Sequence, residues 1–425
     1  MRTAHATLTA ADLVSRTVAL DEPVDLLELC AERDGFAWVK DGEGLVAWGR
    51  AASFDPGTGP GRFGRAAEAL AGRLAGAEIE DDVGVPGTGP LGMGAFTFDP
   101  RIPGSRLVVP SVVIGRRGGR SWMTLSGVGG LPSFEPLLAP AAPRPWNLVE
   151  VAGSSVPAGD WLRAVSSARR AIRAGRLDKV VLARDLTLRF KETFRAGGIV
   201  RALAAAFPEC FSFSFDGIVG STPELLVRRA GDSVESLPLA GSAPRSDDVL
   251  ADRRLGEALS VSAKNRSEHS LTVGMIRERL APLCRRLDVD AEPWLLCLAN
   301  VQHLATRFEG RLSEDRSSLT ALELAGLLHP SPAVCGVPAA PAMAAIRSLE
   351  GMSRARYAGP LGWVDANGDG EWGIALRCTE LNGREARLFA GAGIVAESDP
   401  VSELEEVEVK MGAVLNVLLA PGPSR

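Results

Sequence analysis

The longest run of alternating residues in this chain is KVVLARDLTLRF, residues 179–190. Its pattern predicts a strand with Val180, Leu182, Leu186, Leu188 and Phe190 on one face and Lys179 and Ala183 on the other. FSFSFDG repeats the period through Phe211, Phe213 and Phe215, and STPELLVRR, VESLPLAGS, VQHLATRFEG, WGIALRC and ARLFAGAGIV read as further strands. Helical spacing runs through 252–283, 317–326, 340–350 and 400–418. The two kinds of segment interleave without a strand–helix–strand beat, which favours a layered α+β fold over a doubly wound sheet.

Upstream, residues 1–130 carry the strand-like pieces FAWVK, GLVAWG and RLVVPSVVIG between glycine-rich loops. Residues 131–160 are proline-rich with little periodicity and read as a surface connector. Asp160 then caps a helix with Leu162, Val165, Ala168 and Ile172 on one face and Gly175 as its stop. The chain divides into a strand-rich region at 1–150 that completes the core and a larger domain at 151–420. A net charge of -5 offers no basic footprint for nucleic acid. The six cysteines form no CxxC pair, which fits reduced thiols and a cytoplasmic protein. The first residues, MRTAHATLTAADLVSR, lack the apolar core of a leader, and no run reaches the roughly 20 apolar residues of a membrane span.

Chemistry concentrates in residues 357–410. Here follow YAGPLGW, a DANGDG turn, a strand ending near Arg377, the glycine-rich AGAGIV, and SDPVSELEEVEVK. An arginine, a backbone nest at Gly391, Ala392 and Gly393, and an acidic helix face could together hold a small multi-carboxylate and a divalent cation. Glu403 and Glu406 are i,i+3 and Glu406 and Lys410 i,i+4, so the three share a face, while Glu405 and Glu408 point elsewhere. DANGDGEW imitates a calcium loop but has Leu376 at its twelfth position, so it reads as a hairpin turn. Only five of the 47 basic residues are lysines, and lysine can do what arginine cannot, namely release its proton at working pH.

KVVLAR, STPELL, PLAGSAPR, SAKNRSEH, VQHL, LHPSPAVCG, YAGPLGW, RC and AGAGIVAESDPVSELEEVEVK occur in this order from about Asp160 to Leu418. In series they resemble the chorismate-utilising enzymes: isochorismate synthases, salicylate synthases, anthranilate synthase large components and aminodeoxychorismate synthases. The resemblance implies two large antiparallel sheets packed face to face, helices outside, and an active site between them. It implies chorismate as the substrate and Mg2+ as the cofactor.

Carried over residue by residue, the resemblance makes Lys179 the water-activating base and Glu224 the general acid, with His303 near the reacting hydroxyls. A lysine base requires a lowered pKa and a carboxylic acid donor a raised one. Glu268 and Glu406 match the metal ligands, and Glu403 joins them through water. Arg377 and Tyr357 match the residues that hold the enolpyruvyl carboxylate; Gly241 and Ser242 line the ring-carboxylate side; the 391–393 amides and Lys410 complete the anion site. His269 and His329 read as structural. Asn265 departs from the family's usual acid, and Ser331 from its usual threonine.

Lys179 stands where ammonia-using relatives place glutamine, and Ala240 where aminodeoxychorismate synthases place a nucleophilic lysine. Water is therefore the expected nucleophile, with no glutamine amidotransferase subunit and a monomer as the expected state. Ala333 replaces the threonine frequent in salicylate synthases and so resembles isochorismate synthases, which serve menaquinone or siderophore synthesis. The alternatives are a salicylate synthase and, in another class, a non-catalytic chorismate-binding subunit.

Overall fold

The computed structural model describes residues 12–32, 35–133 and 146–420. Two large sheets of 13 and nine strands, with a third of three, account for the strand-like segments. Pairing is antiparallel except between Leu13–Leu20 and Glu78–Asp81. Buried residues of both large sheets join one hydrophobic cluster. At their interface Trp38 from the larger sheet packs so close to Gly373 of the smaller that a Cβ there would stand 2.7 Å from the indole ring. The same indole donates to Glu371 Oε2 at 2.7 Å, which satisfies its one polar atom inside the core.

The upstream region is woven into both sheets. Phe36–Lys40 pairs with Phe211–Phe215, and Leu91–Ala95 pairs with Pro360–Asp365. RLVVPSVVIG, which reads as one strand, is two: Arg106–Val109 lies in the nine-stranded sheet and Val112–Arg117 in the larger. The same happens four more times. STPELLVRR and WGIALRC each pass between the two large sheets, while VESLPLAGS and VQHLATRFEG pass between the nine-stranded and three-stranded sheets. Three of the five breaks fall at a proline, Pro110, Pro223 and Pro238, which cannot donate to a ladder; the breaks in WGIALRC and VQHLATRFEG carry no such mark.

Several local expectations need correction. Pro157, not Asp160, precedes the helix Ala158–Arg173; Asp160 sits inside its first turn, and Trp161 and Ala164 join the buried face that Leu162 only half enters. The connector contains an edge strand, Leu148–Gly153, while residues 134–145 lie outside the described residues, as does the start of the chain to residue 11. The stretch at 252–283 is two helices, Val249–Val261 and Ala263–Leu280. Ser262 separates them, and its side chain accepts from Asn265 N, a cap that starts the second helix. Arg62–Leu74 and Ala196–Ala206 are two further helices, each with helically spaced apolar residues on its buried side: Phe63, Ala66 and Leu70 in the first, Ile199, Val200 and Leu203 in the second. The DANGDG segment is a hairpin loop in which Asp365 Oδ1 accepts from Asn367 N and Asp369 N.

Candidate active site

Two of the sheet crossings meet. Glu224 follows Pro223 in the link from Ile218–Thr222 to Leu225–Ala230, and Arg377 ends the link from Gly370–Ile374 to Cys378–Asn382. The links are laced together: Ser221 N donates to Arg377 O at 3.1 Å, and Ile374 N to Glu224 O at 3.3 Å. Arg377 has φ 45°, in the left-handed region that L side chains rarely adopt. Such backbone persists only where its surroundings enforce it, and it concentrates at functional positions.

Beside the crossings lies a cavity of about 90 Å³, space for roughly six to nine waters. Glu224, Gly241, Ser242, Glu268, His303 and Ala333 line it, and so do Tyr357, Arg377, Gly391, Gly393 and Lys410. Lys179, Ala392, Glu403 and Glu406 do not. His269 and His329 are also away from it; each is buried, with Nε2 bonded to Thr306 Oγ1 at 2.7 Å and Phe98 O at 3.1 Å respectively.

Glu224 is 2% exposed, and burial pushes its carboxyl up to about 8 against a partial offset from the charge of Lys179. It is therefore protonated at neutral pH. Lys179 is fully buried, and its Nζ stands 2.8 Å from Glu268 Oε1. Nζ has no aligned hydrogen-bond acceptor among the described residues, so Glu268 holds it chiefly by charge. Burial, the largest single effect, would raise the Glu268 carboxyl, but Lys179 together with the charges of Lys410 and Lys264 holds it below its ordinary value. Lys179 thus reaches the cavity by way of Glu268.

Arg377 is 7% exposed, and no carboxylate among the described residues pairs with it. Its Nη2 lies 2.8 Å from His303 Nε2. A guanidinium can only donate, so Nε2 accepts and the imidazole proton sits on Nδ1, which is 3.2 Å from Gly241 O. Burial, followed by the charges of Arg377 and Lys410, holds His303 well below its ordinary pKa and hence neutral. His303 orients Arg377 in this arrangement. Gly241, with φ 79°, occupies an irregularity in the ladder between Leu239–Pro244 and Val301–Ala305, and this brings its carbonyl to the imidazole. Tyr357 stacks on Phe389 with centroids 5.1 Å apart.

The backbone nest expected at 391–393 does not form. These residues pair in register with Ala183, Leu182 and Val181 in a regular ladder, and Ala392 takes the face opposite its two glycine neighbours. The glycines contribute space instead. A Cβ on Gly393 would stand 2.4 Å from Glu268 Oε1 and 3.1 Å from Lys179 Cε; one on Gly391 would stand 3.3 Å from the Tyr357 hydroxyl.

The three candidate metal carboxylates are hard oxygen donors on two facing helices, yet each is held by a lysine. Besides the Lys179–Glu268 contact, Lys264 Nζ lies 2.6 Å from Glu403 Oε1 and Lys410 Nζ 2.5 Å from Glu406 Oε1. Among the described residues no three acidic, histidine or cysteine side chains converge as a finished cage. The donor chemistry suits Mg2+, which takes one or two carboxylates and keeps waters. The cradle that Gly393 leaves for Glu268, and ammonium groups standing at all three carboxylates, also fit a cation there. Burial and the neighbouring Glu406 push the Glu403 carboxyl up despite Lys264.

One pair was missed by the sequence reading. Strand Lys179–Phe190 pairs on one edge with Gly336–Val337 at its start and with Leu148–Gly153 at its end, leaving a gap between. Side chains close the gap. Arg354 Nη2 donates to Val181 O at 2.8 Å, its Nη1 to Val334 O at 2.8 Å, and Ala183 N donates to Glu350 Oε1 at 2.8 Å. Arg354 and Glu350 pair with one another, i,i+4, and both are buried. The only sequence signal was that acidic–basic spacing at the end of helix Ala339–Leu349.

The cavity joins a buried acid to a buried guanidinium that has no carboxylate partner among the described residues, an arrangement suited to a small carboxylate. A family model described as "Chorismate binding enzyme" matches residues 139–419. The chain belongs to this family. It is 40% identical over 270 residues to isochorismate synthase DhbC of Bacillus subtilis, covering 61% of this chain and 67% of that protein. It is 36% identical over 334 residues to isochorismate synthase EntC of Escherichia coli, covering 77% and 81%. The fold matches the solved structure of MenF, the menaquinone-specific isochorismate synthase of Escherichia coli, with TM-score 0.78 and 27% identity over 96% of this chain and 95% of that one. No helix among the described residues is long and apolar enough to cross a membrane.

Proposed function

We propose that this protein is a Mg2+-dependent isochorismate synthase, an isomerase that adds water at C2 of chorismate and expels the C4 hydroxyl. The observation that carries the reading is the pairing in one cavity of Arg377, buried without a carboxylate partner, and Glu224, protonated at neutral pH. Arg377, oriented by His303, binds the enolpyruvyl carboxylate together with Tyr357, which lines the same cavity. Gly241 and Ser242 flank the ring carboxylate.

Lys179, ion-paired with Glu268, acts once it has released its proton: the neutral amine then takes one from the attacking water, whose oxygen bonds to C2 as the ring double bond shifts. The C4–O bond breaks, and Glu224 protonates the departing oxygen, which leaves as water. Lys179 ends protonated and Glu224 ionised; proton exchange with solvent restores both. Glu268 and Glu406, with Glu403 through water, would hold Mg2+, which supplies neutralisation of the ring carboxylate. Ala333 at the cavity wall supports release of the product with its pyruvyl ether intact. The product would serve menaquinone or siderophore synthesis, the two roles carried by relatives of this kind.

The test is incubation of the purified protein with chorismate and Mg2+ in 18O-water. Isochorismate labelled at C2 is the expected result. Salicylate with pyruvate would make the protein a salicylate synthase, and chorismate binding without any product would make it a non-catalytic subunit.

A further inference from the structure

Three of the five lysines stand against the three glutamates of the candidate cation site, one to one. Lys179 has work in the proposed reaction, and Lys410 lines the cavity. Lys264 does neither. Its position is nevertheless specific. It lies one turn before Glu268 on helix Ala263–Leu280, and it reaches Glu403, one turn before Glu406 on helix Pro400–Leu419. Its ammonium is 2.6 Å from Glu403 Oε1, and the charges of Glu406 and Glu268 act on it as well. It is a cation held among the three carboxylates.

We propose that Lys264 is a built-in competitor for the divalent cation: its ammonium holds Glu403 until an incoming ion displaces it towards solvent. This rests on the reading of Glu268, Glu403 and Glu406 as the cation site. Three glutamates and three lysines already balance, so a divalent ion brings two positive charges that nothing in the cluster offsets. Of the three lysine side chains, Lys179 is 0% exposed, Lys410 21% and Lys264 32%, so Lys264 is the one with the readiest exit. Glu403 is 2% exposed and cannot find a new partner in water. An ammonium leaving it exchanges one cation for another at a buried carboxylate, which keeps that carboxylate paired throughout. A lysine that served only to arrange the carboxylates would have the opposite effect, since its removal would then weaken binding.

The experiment is calorimetric titration of Mg2+ into the full-length protein without substrate, for wild type, Lys264→Met and Lys264→Arg. Lys264→Met should bind Mg2+ about tenfold more tightly or better, because a like charge at short range is gone. Its thermal midpoint without metal should fall below wild type and should recover with Mg2+. Lys264→Arg keeps the charge and should bind no more tightly than wild type. An unchanged or weaker affinity in Lys264→Met, or no Mg2+ binding by either protein, overturns the proposal. Should Lys264→Met fail to fold, wild type alone decides: acylation of Lys264 read by mass spectrometry should speed up several-fold on Mg2+ saturation, with exposed Lys191 as internal reference. A rate that stays the same or falls overturns it. Neither measurement uses turnover. Labelled isochorismate with no change in affinity would sink this inference alone, and altered affinity with no product would sink the functional reading alone.

Discussion

Replacing Glu224 by Gln should remove turnover and, at the same time, make the protein more stable as pH rises. Glu224 has an ordinary carboxyl pKa of 4.5 and is pushed up to about 8 in the fold. A raised folded pKa means that the folded state keeps a proton the unfolded state has already released. Glu224 therefore costs nothing below pH 4.5 and lowers stability progressively from there to about pH 8. The loss is about 1.4 kcal/mol per pH unit, or on the order of 2.7 kcal/mol between pH 5.5 and 7.5. Gln carries no proton to lose, so its stability relative to wild type should climb by that amount over the window. The assay is urea unfolding of both proteins at pH 5.5, 6.5 and 7.5, with chorismate turnover measured in parallel. Wild-type kcat should also decline as pH passes 8, where the acid ionises. A stability difference independent of pH would show Glu224 ionised throughout and would refute its role as proton donor.

Lys179→Met should show no detectable chorismate turnover. It should also melt well below wild type, because breaking a buried ion pair costs roughly 3–5 kcal/mol and leaves the carboxylate of Glu268 alone. Arg377→Lys should raise the chorismate Kd by roughly 10–100-fold in a binding titration, because a lysine cannot reproduce two parallel guanidinium bonds to a carboxylate. Gly393→Ala should lose both Mg2+ affinity and turnover while remaining folded by circular dichroism, since its Cβ would fall 2.4 Å from Glu268 Oε1. Wild-type affinity in that variant would remove the cradle argument.

Much of the fold was legible because alternation is a local property. The strand at 179–190 has the bounds its pattern gives, and the helix at 400–419 differs from its pattern by one residue. Changes of sheet were marked only as possible breaks, by Pro110, Pro223 and Pro238, because a proline ends a strand without saying which sheet the next one joins. Glu224 and Arg377 stand at two such crossings; the resemblance put both in one site, while periodicity alone gave no sign that they meet. The helix at Arg62–Leu74 carries its period in Phe63, Ala66, Leu70 and Leu74, whereas the Leu148–Gly153 strand lies exposed on an edge, where no burial pattern is imposed. A backbone nest was expected at 391–393 because glycine runs allow one; ladder pairing with Val181–Ala183 left the amides no freedom to turn inward. The Glu350–Arg354 pair escaped notice because its partners, the backbone at Val181, Ala183 and Val334, are distant in sequence.

That pair has a bearing on how new chemistry could arise in such a scaffold. A wall made of paired strands changes shape through the side chains it presents, while the ladder holds its backbone fixed. Here, next to Ala333 and Val334, part of the wall is the side chain of Arg354, which with Glu350 fills the place of an absent strand. Substitutions at that plug can reshape the chamber one residue at a time, so selection can alter which bond is broken without redesigning the architecture around it.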